Sequence, residues 1–242
     1  MDISNTYWAG LFDAEGSLGI DKTLHLQVRL GNTNKKVMDL LNTAYPGTLY
    51  YSDKSKLPYW IWTCKSVDTE LFLMNIKPYT IIKRSQVKLC LEFLNYFKGT
   101  FQHKTTKDVL LKRFSYKVKL ESLRVNNETL NYKNPLDNNG PAYYAGLLDG
   151  DGSISIDRNS PTASIAGASE EVKLLAEKLI KTYGGSLEVS SIFYRWNIYG
   201  KNALLFIEAI LPFLIIKKEK AAALLACYKA EPMIGSGNRY EK

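Results

Sequence analysis

At 242 residues, 45% of them hydrophobic, the chain is long enough to bury one large core or two smaller ones. Its net charge of +8 points to a polyanionic partner, and the excess is one-sided: residues 1–124 hold 19 Lys and Arg against 11 Asp and Glu, while the remainder is balanced. Three scattered cysteines and two histidines argue against a disulfide framework, a Cys–His zinc site or a histidine-based acyl-transfer centre, so any metal should be a hard cation on carboxylate oxygens.

The first element is "WAGLFDA" (residues 8–14), which reads as a helix. Gly10, Asp13 and Ala14 form a face of small side chains, and Trp8, Leu11 and Phe12 form a bulky one. Gly16 follows, and Gly152 stands at the matching place further along the chain, both expected as left-handed residues that end a helix. The helix finishes on acids, an unfavourable place beside its partial negative charge unless a cation joins them. "LHLQVRL" (24–30) alternates strictly, with Leu24, Leu26, Val28 and Leu30 on a buried face and His25, Gln27 and Arg29 on a wet one. "NTNKKVMDLLNTAY" (32–45) has helical apolar spacing. "GTLYYSD" (47–53) and "YWIWTCK" (59–65) are strand-like runs about a turn, and "RSQVKLCLEFLNYF" (84–97) is again helical. The order expected is α-β-β-α-β-β-α: an antiparallel sheet with helices on one face and a polar opposite face.

The pattern then recurs. "YWAGLFDAEGSLGID" (7–21) and "YYAGLLDGDGSISID" (143–157) share nine of fifteen positions. "LFLMNIKPYTIIK" (71–83) and "LFIEAILPFLIIK" (205–217) share seven of thirteen at nearly the same offset, and Trp62 matches Trp196. The chain is therefore an internal duplication. An Asn-rich stretch with two prolines divides it into halves at 1–124 and 140–242, joined by a linker at 125–139. The second motif helix opens on Gly140-Pro141, a suitable N-cap and N1 pair.

The small face of the first motif helix invites close approach by its twin at Gly146, Asp149 and Gly150. Such packing gives an α+β fold with a pseudo-twofold axis, the two polar sheet faces lining one groove. His25, Gln27, Arg29, Thr63, Lys65, Arg195, Asn197 and Tyr199 are the residues expected to face duplex DNA there, where Arg, Gln and Asn pair with base edges. Glu15 and Asp151 meet at the groove's centre, one acid per half, suited to divalent cations bridging to phosphate. Lys83 and Lys217 occupy equivalent positions and are expected to stabilise charge on the phosphate or tune the water. Asp13 and Asp149 lie within the helix contact, where hydrogen bonding is favoured over metal binding. The tail "GSGNR" (235–239) follows no strand and opens no helix, which excludes a phosphate loop.

"WAGLFDAEG" and "YAGLLDGDG", with the matched "PYTIIK" and "PFLIIK" segments, resemble the single-chain, two-motif LAGLIDADG homing endonucleases. The resemblance implies paired αββαββα units and motif helices at the interface. It implies Mg²⁺-supported hydrolysis of one phosphodiester per strand across the minor groove, leaving short 3′ overhangs at a long asymmetric site. It also implies that Mn²⁺ or Ca²⁺ substitutes for Mg²⁺ in binding. By position, Glu15 and Asp151 are metal ligands with the carbonyls of Ala14 and Gly150, and Lys83 and Lys217 are the basic active-site residues. Glu15 departs from the Asp of the motif and is one methylene longer, an expected source of unequal cuts. The family's water-holding polar residue falls near Leu30 or Gly31, neither of which suits the role.

Two other functions use the same fold: an intron maturase that binds RNA, and a non-cleaving DNA-binding regulator. Retention of both acids favours the endonuclease over the regulator. The chain is expected to act as a monomer. No run of 18 apolar residues suggests a membrane span, and "MDISNTYWAG" lacks the basic flank and apolar core of a signal peptide. The expected location is thus the compartment of synthesis, an organelle (mitochondrion or chloroplast) or a prokaryotic cytoplasm.

Overall fold

Ser4 caps helix α1 (Asn5–Glu15) by accepting the Tyr7 amide, and the chain passes from Glu15 directly into strand β1 (Gly16–Ile20). β2 (Leu26–Asn32), α2 (Lys35–Ala44), β3 (Thr48–Ser52), β4 (Tyr59–Cys64), α3 (Val67–Ile76), α4 (Arg84–Tyr96) and α5 (Lys107–Val125) complete the first half. The second half runs α6 (Pro141–Asp151), β5 (Gly152–Asp157), β6 (Ser160–Gly167), α7 (Glu170–Tyr183), β7 (Ser186–Val189), β8 (Tyr194–Tyr199), α8 (Gly200–Ile210) and α9 (Lys218–Ala230). This computed structural model describes residues 3–53, 56–64, 67–98, 106–125 and 139–230. Of the expected linker at 125–139, residues 126–138 lie outside the described residues, as does the phosphate-loop segment 235–239.

Both sheets are antiparallel and share one topology, β1-β2-β4-β3 and β5-β6-β8-β7. The α-β-β-α-β-β-α order therefore holds in each half as far as α3 and α8, after which two more helices, α4 and α5, follow in the first half and one, α9, in the second. "LFLMNI" within α3 is not the amphipathic run that marks α2: Leu71 and Met74 point outward while Phe72, Leu73 and Ile76 are buried. Leu18, Val28, Leu30, Trp62 and Cys64 of the first sheet face the helices. Trp62 and Trp196 match as expected: both are fully buried, and each donates its indole N–H over 3.0 Å, to the carbonyls of Tyr45 and Gly184.

Two local expectations are corrected. Leu24 is not a strand residue. It takes φ 60° in the hairpin turn, so β2 starts at Leu26 and His25 belongs to the turn. Gly16 is extended, at φ −76° and ψ 154°, and Gly152 likewise at φ −92° and ψ 167°, so neither is left-handed. Space is what requires glycine: a Cβ at Gly16 would lie 2.2 Å from the Phe12 ring and 2.4 Å from its carbonyl oxygen. The helix-to-strand corner is tight enough to exclude any side chain.

Candidate active site and nucleic-acid groove

Helices α1 and α6 join the two halves backbone against backbone. A Cβ on Gly10 would lie 2.1 Å from the Tyr143 carbonyl oxygen, and one on Gly146 would lie 2.1 Å from that of Tyr7. The contact is reciprocal, as a pseudo-twofold axis demands. It continues to the helix ends, where the Cβ position of Gly150 is 2.3 Å from Ala14 Cβ and 3.1 Å from Glu15 Cγ. Glu15 thus abuts the last turn of α6, one residue before Asp151.

Asp13 and Asp149 hold this arrangement. Asp13 Oδ2 accepts the amides of Ile81 (2.7 Å) and Ile82 (3.0 Å), and Oδ1 accepts that of Lys83 (2.9 Å). Asp149 does the same for Ile215, Ile216 and Lys217 at 2.8, 3.0 and 2.8 Å. Each acid also accepts a tyrosine hydroxyl from the opposite half: Tyr143 to Asp13 at 2.7 Å and Tyr7 to Asp149 at 2.8 Å. Burial beside these carboxylates pushes both phenols well above their ordinary pKa. All four side chains are buried, so the two Asp are structural acceptors with no free face for a cation.

The same turns aim Lys83 and Lys217 at the helix ends. The Lys83 ammonium donates to the Asp13 carbonyl, and that of Lys217 donates to Leu148 (2.7 Å), Asp149 (2.7 Å) and Gly150 (3.4 Å). These are carbonyls that a helix C-terminus leaves without intrahelical partners, and a cation is favoured there. Burial lowers both lysine pKa values. Asp13, Asp151 and Glu15 oppose the shift at Lys83; Asp149, Glu15 and Asp151 oppose it at Lys217. Surface lysines would show neither the burial nor the contacts.

Glu15 and Asp151 are the acids left over. Asn32 Nδ2 donates to Glu15 Oε1 at 3.4 Å, and Asp151 has no hydrogen-bond partner among the described residues. Burial raises both pKa values. Asp151 adds to the rise at Glu15, and the two lysines act against it at both sites. Paired, partly desolvated carboxylates whose pKa values stay raised despite the two lysines are a suitable donor set for a hard divalent cation. Among the described residues no group of three or more His, Cys, Asp or Glu gathers, so these two carboxylates and the helix-end carbonyls of Ala14 and Gly150 are what the protein offers. The rest of a cation's shell would fall to water or substrate.

The groove starts at this point. A hollow of about 480 Å³ is lined by Glu15, Ser17, Arg29, Gly31, Asn32 and their neighbours, so the acid opens onto the polar face of the first sheet. Register aligns Ser17, Arg29, Thr63 and Thr48 in one row across that face, and Ser153, Ser164, Asn197 and Ser186 in the matching row of the second. Arg29, His25 and Tyr199 are exposed, and Gln27, Arg195 and Asn197 half-buried. Thr63 shares the face but keeps only 6% of its surface. Lys65 lies outside the described residues.

No family model matches the chain. Among solved structures, it is similar to the LAGLIDADG homing endonuclease I-GzeII in complex with its DNA target, at a TM-score of 0.70 and 14% identity over 97% of this chain and 94% of that one. The fold is that of the LAGLIDADG homing endonucleases. I-LtrWI bound to target DNA matches at a TM-score of 0.66 and 20% identity, over 94% of this chain and 91% of the other. I-SmaMI bound to an uncleaved DNA target in the presence of calcium ions matches at 0.65 and 20%, over 96% and 95%.

Within this LAGLIDADG fold, sequence reasoning missed Asn32 and the two tyrosines. Asn32 ends β2, two residues past the expected run, and only the strand's true extent turns it toward Glu15. Tyr7 and Tyr143 did carry a signal, as an aromatic shared at the head of both motif copies.

Proposed function

We propose that this chain is a site-specific double-stranded DNA endonuclease of the homing type, acting as a monomer on a long asymmetric target. The observation that carries the proposal is the meeting of Glu15 and Asp151, one from each half, at the ends of packed helices that open onto a polar groove. The LAGLIDADG fold supports it, since chains of that fold have been seen on DNA targets.

The sheets bind the duplex through Arg29, Arg195, Asn197 and Tyr199, with Gln27 beside Arg29 on the same face, while His25 reaches from the hairpin turn. Glu15 and Asp151 would hold a divalent cation, Mg²⁺ in the first instance, which would supply charge neutralisation at the phosphate and a more acidic bound water. Lys83 and Lys217 already cap the helix ends and present buried ammonium groups beside the acids, a fixed positive field for the developing charge. Asn32 hydrogen-bonds Glu15 and orients it. One acid per half accounts for one cut per strand, and the family's geometry gives cleavage across the minor groove with short 3′ overhangs.

Glu15→Gln and Asp151→Asn test this. Each should lower double-strand cleavage about 100-fold or more while duplex binding persists. Cleavage of both strands at the wild-type rate in Mg²⁺ by either variant would overturn the assignment.

A further inference from the structure

A groove meant for a polyanion has reason to avoid carboxylates, yet Asp21 and Glu188 both border this one. Their oxygens are used differently. Asp21 Oδ1 accepts the Thr23 amide (2.8 Å), the Thr23 hydroxyl (2.7 Å) and the His25 amide (3.0 Å), and Oδ2 accepts Gln27 Nε2 (2.7 Å). Such a carboxylate is engaged on both oxygens and has little left for a base. Glu188 uses only Oε2, in 3.4 Å contacts with Arg195 and Asn197.

The chain of contacts at Asp21 extends further. Gln27 Oε1 accepts from Arg29 Nη2. A carboxylate only accepts and a guanidinium only donates, so the Gln27 amide has one workable orientation between them: nitrogen to Asp21, oxygen to Arg29. Reversing it would set donor against donor at one end and acceptor against acceptor at the other. Gln27 is thereby committed within the protein. Arg29 is exposed and spends one of its five donors on Gln27, so its remaining N–H groups face the groove. Two parallel donors on a held guanidinium match the O6 and N7 acceptors of guanine in the major groove.

The second half has no such device at the equivalent rows. Ser17 pairs with Arg29 in the first sheet, whereas Ser153 pairs with Ser164 in the second, their hydroxyls 2.8 Å apart. Gly19 pairs with Gln27, whereas Ser155 pairs with Thr162, again with hydroxyls 2.8 Å apart. The pseudo-twofold mate of Asp21 is Asp157, but Thr162 and Ser164 stand where Gln27 and Arg29 do, so the second sheet has no amide and guanidinium for that carboxylate to hold.

We infer that Asp21 is a positioning residue that locks Gln27 as the acceptor for Arg29, and that Arg29 so held reads a guanine in the half-site beneath the first sheet. The inference rests on the DNA groove proposed above. Gln27 orients and does not read. Guanine selection of this kind belongs to one half-site only, because the other sheet presents hydroxyls at the matching place.

The experiment selects duplexes from a randomised pool with the full chain and Ca²⁺, then measures binding to the recovered duplex with each base pair varied in turn. Wild type, Arg29→Ala and Asp21→Asn are compared, with thermal melting as a control. Arg29→Ala should reduce the preference for guanine at one position of one half-site by roughly tenfold to a hundredfold. Asp21→Asn should weaken the same preference at the same position, because its amide can turn Gln27 around and leave Arg29 without an acceptor. Preferences at all other positions should stay as in the wild type. Were Asp21→Asn to unfold, Gln27→Leu replaces it with the same expectation. If wild type selects a duplex but the variants change no guanine position, or change different ones, the inference falls while DNA binding stands. If wild type selects no duplex, the proposed function falls and takes the inference with it.

Discussion

Gly10→Ala isolates what the close helix contact contributes. The added Cβ would lie 2.1 Å from the Tyr143 carbonyl oxygen, 2.9 Å from the Leu147 amide nitrogen and 3.0 Å from the Tyr143 carbonyl carbon. Carbon–oxygen contacts of this kind settle near 3.3 Å, so α1 and α6 must separate by roughly 1 Å. All three obstacles are backbone atoms, and no rotamer change clears them. Overpacking costs about 1–3 kcal/mol, and alanine returns about 0.5–1 kcal/mol as the better helix former. A net loss of roughly 1–2 kcal/mol corresponds to a melting temperature lower by about 2–8 °C in a chain of this size. The separation also moves Glu15 away from Asp151, and a 1 Å misplacement of catalytic groups can cost about 100-fold in rate. Differential scanning fluorimetry and a plasmid cleavage assay read the two effects. Gly146→Ala should match Gly10→Ala, and the double variant should lose less than the sum, because the first substitution opens the gap that the second needs. Wild-type melting together with wild-type cleavage for Gly10→Ala would refute the backbone-to-backbone packing.

Tyr7→Phe and Tyr143→Phe each remove one hydrogen bond to a buried carboxylate and should cost about 1.5–3 kcal/mol in urea denaturation; losses below about 0.5 kcal/mol would mean that the hydroxyls do not link the halves. Partial burial works to raise the Asp21 carboxyl, but hydrogen bonds from Thr23, the His25 amide and Gln27 together hold its pKa below the ordinary value. A depressed acid lends stability above its unfolded pKa of about 3.9 and loses it as pH falls through the folded value. The melting advantage of wild type over Asp21→Asn should therefore be full at pH 7 and shrink below about pH 4. At a site this open it should stay under roughly 1 kcal/mol, and an advantage that grew on acidification would contradict the hydrogen-bond set.

What was legible in the sequence followed from the duplication. A motif seen twice pairs Gly10 with Gly146 and Glu15 with Asp151, so the interface and the acids could be named before any coordinates. The helix periods of α2 and α4 and the alternation of β2 were equally open, because one face of each meets the core and the other meets water. The failures were local. Leu24 completed the alternation in sequence but lies in a tight turn, and alternation does not say where a hairpin bends. Gly16 and Gly152 follow a helix as left-handed caps do, yet their requirement is steric and depends on the Phe12 and Leu148 turns folding back over them. The lysines matched by position, but their grip on the motif-helix carbonyls depends on a turn held by Asp13 and Asp149 from distant sequence.

That turn explains why each motif carries two acids with different duties. The inner acid accepts three amides from its own half and a tyrosine from the other half. Folding of one half's lysine turn is thus joined to docking of the opposite helix. In a half standing alone, Asp13 would lose Tyr143, the α1 face around Gly10 would meet water, and the field of Lys83 would act on a single outer acid, Glu15. The outer acids gain from the same event in the opposite sense. Docking brings Glu15 and Asp151 together and desolvates both, which raises their pKa values. Energy gained by the inner acids offsets the strain of assembling the outer ones. A carboxylate pair brought together and desolvated is stable only where some other part of the interface holds it, and here that part is two residues away in each motif.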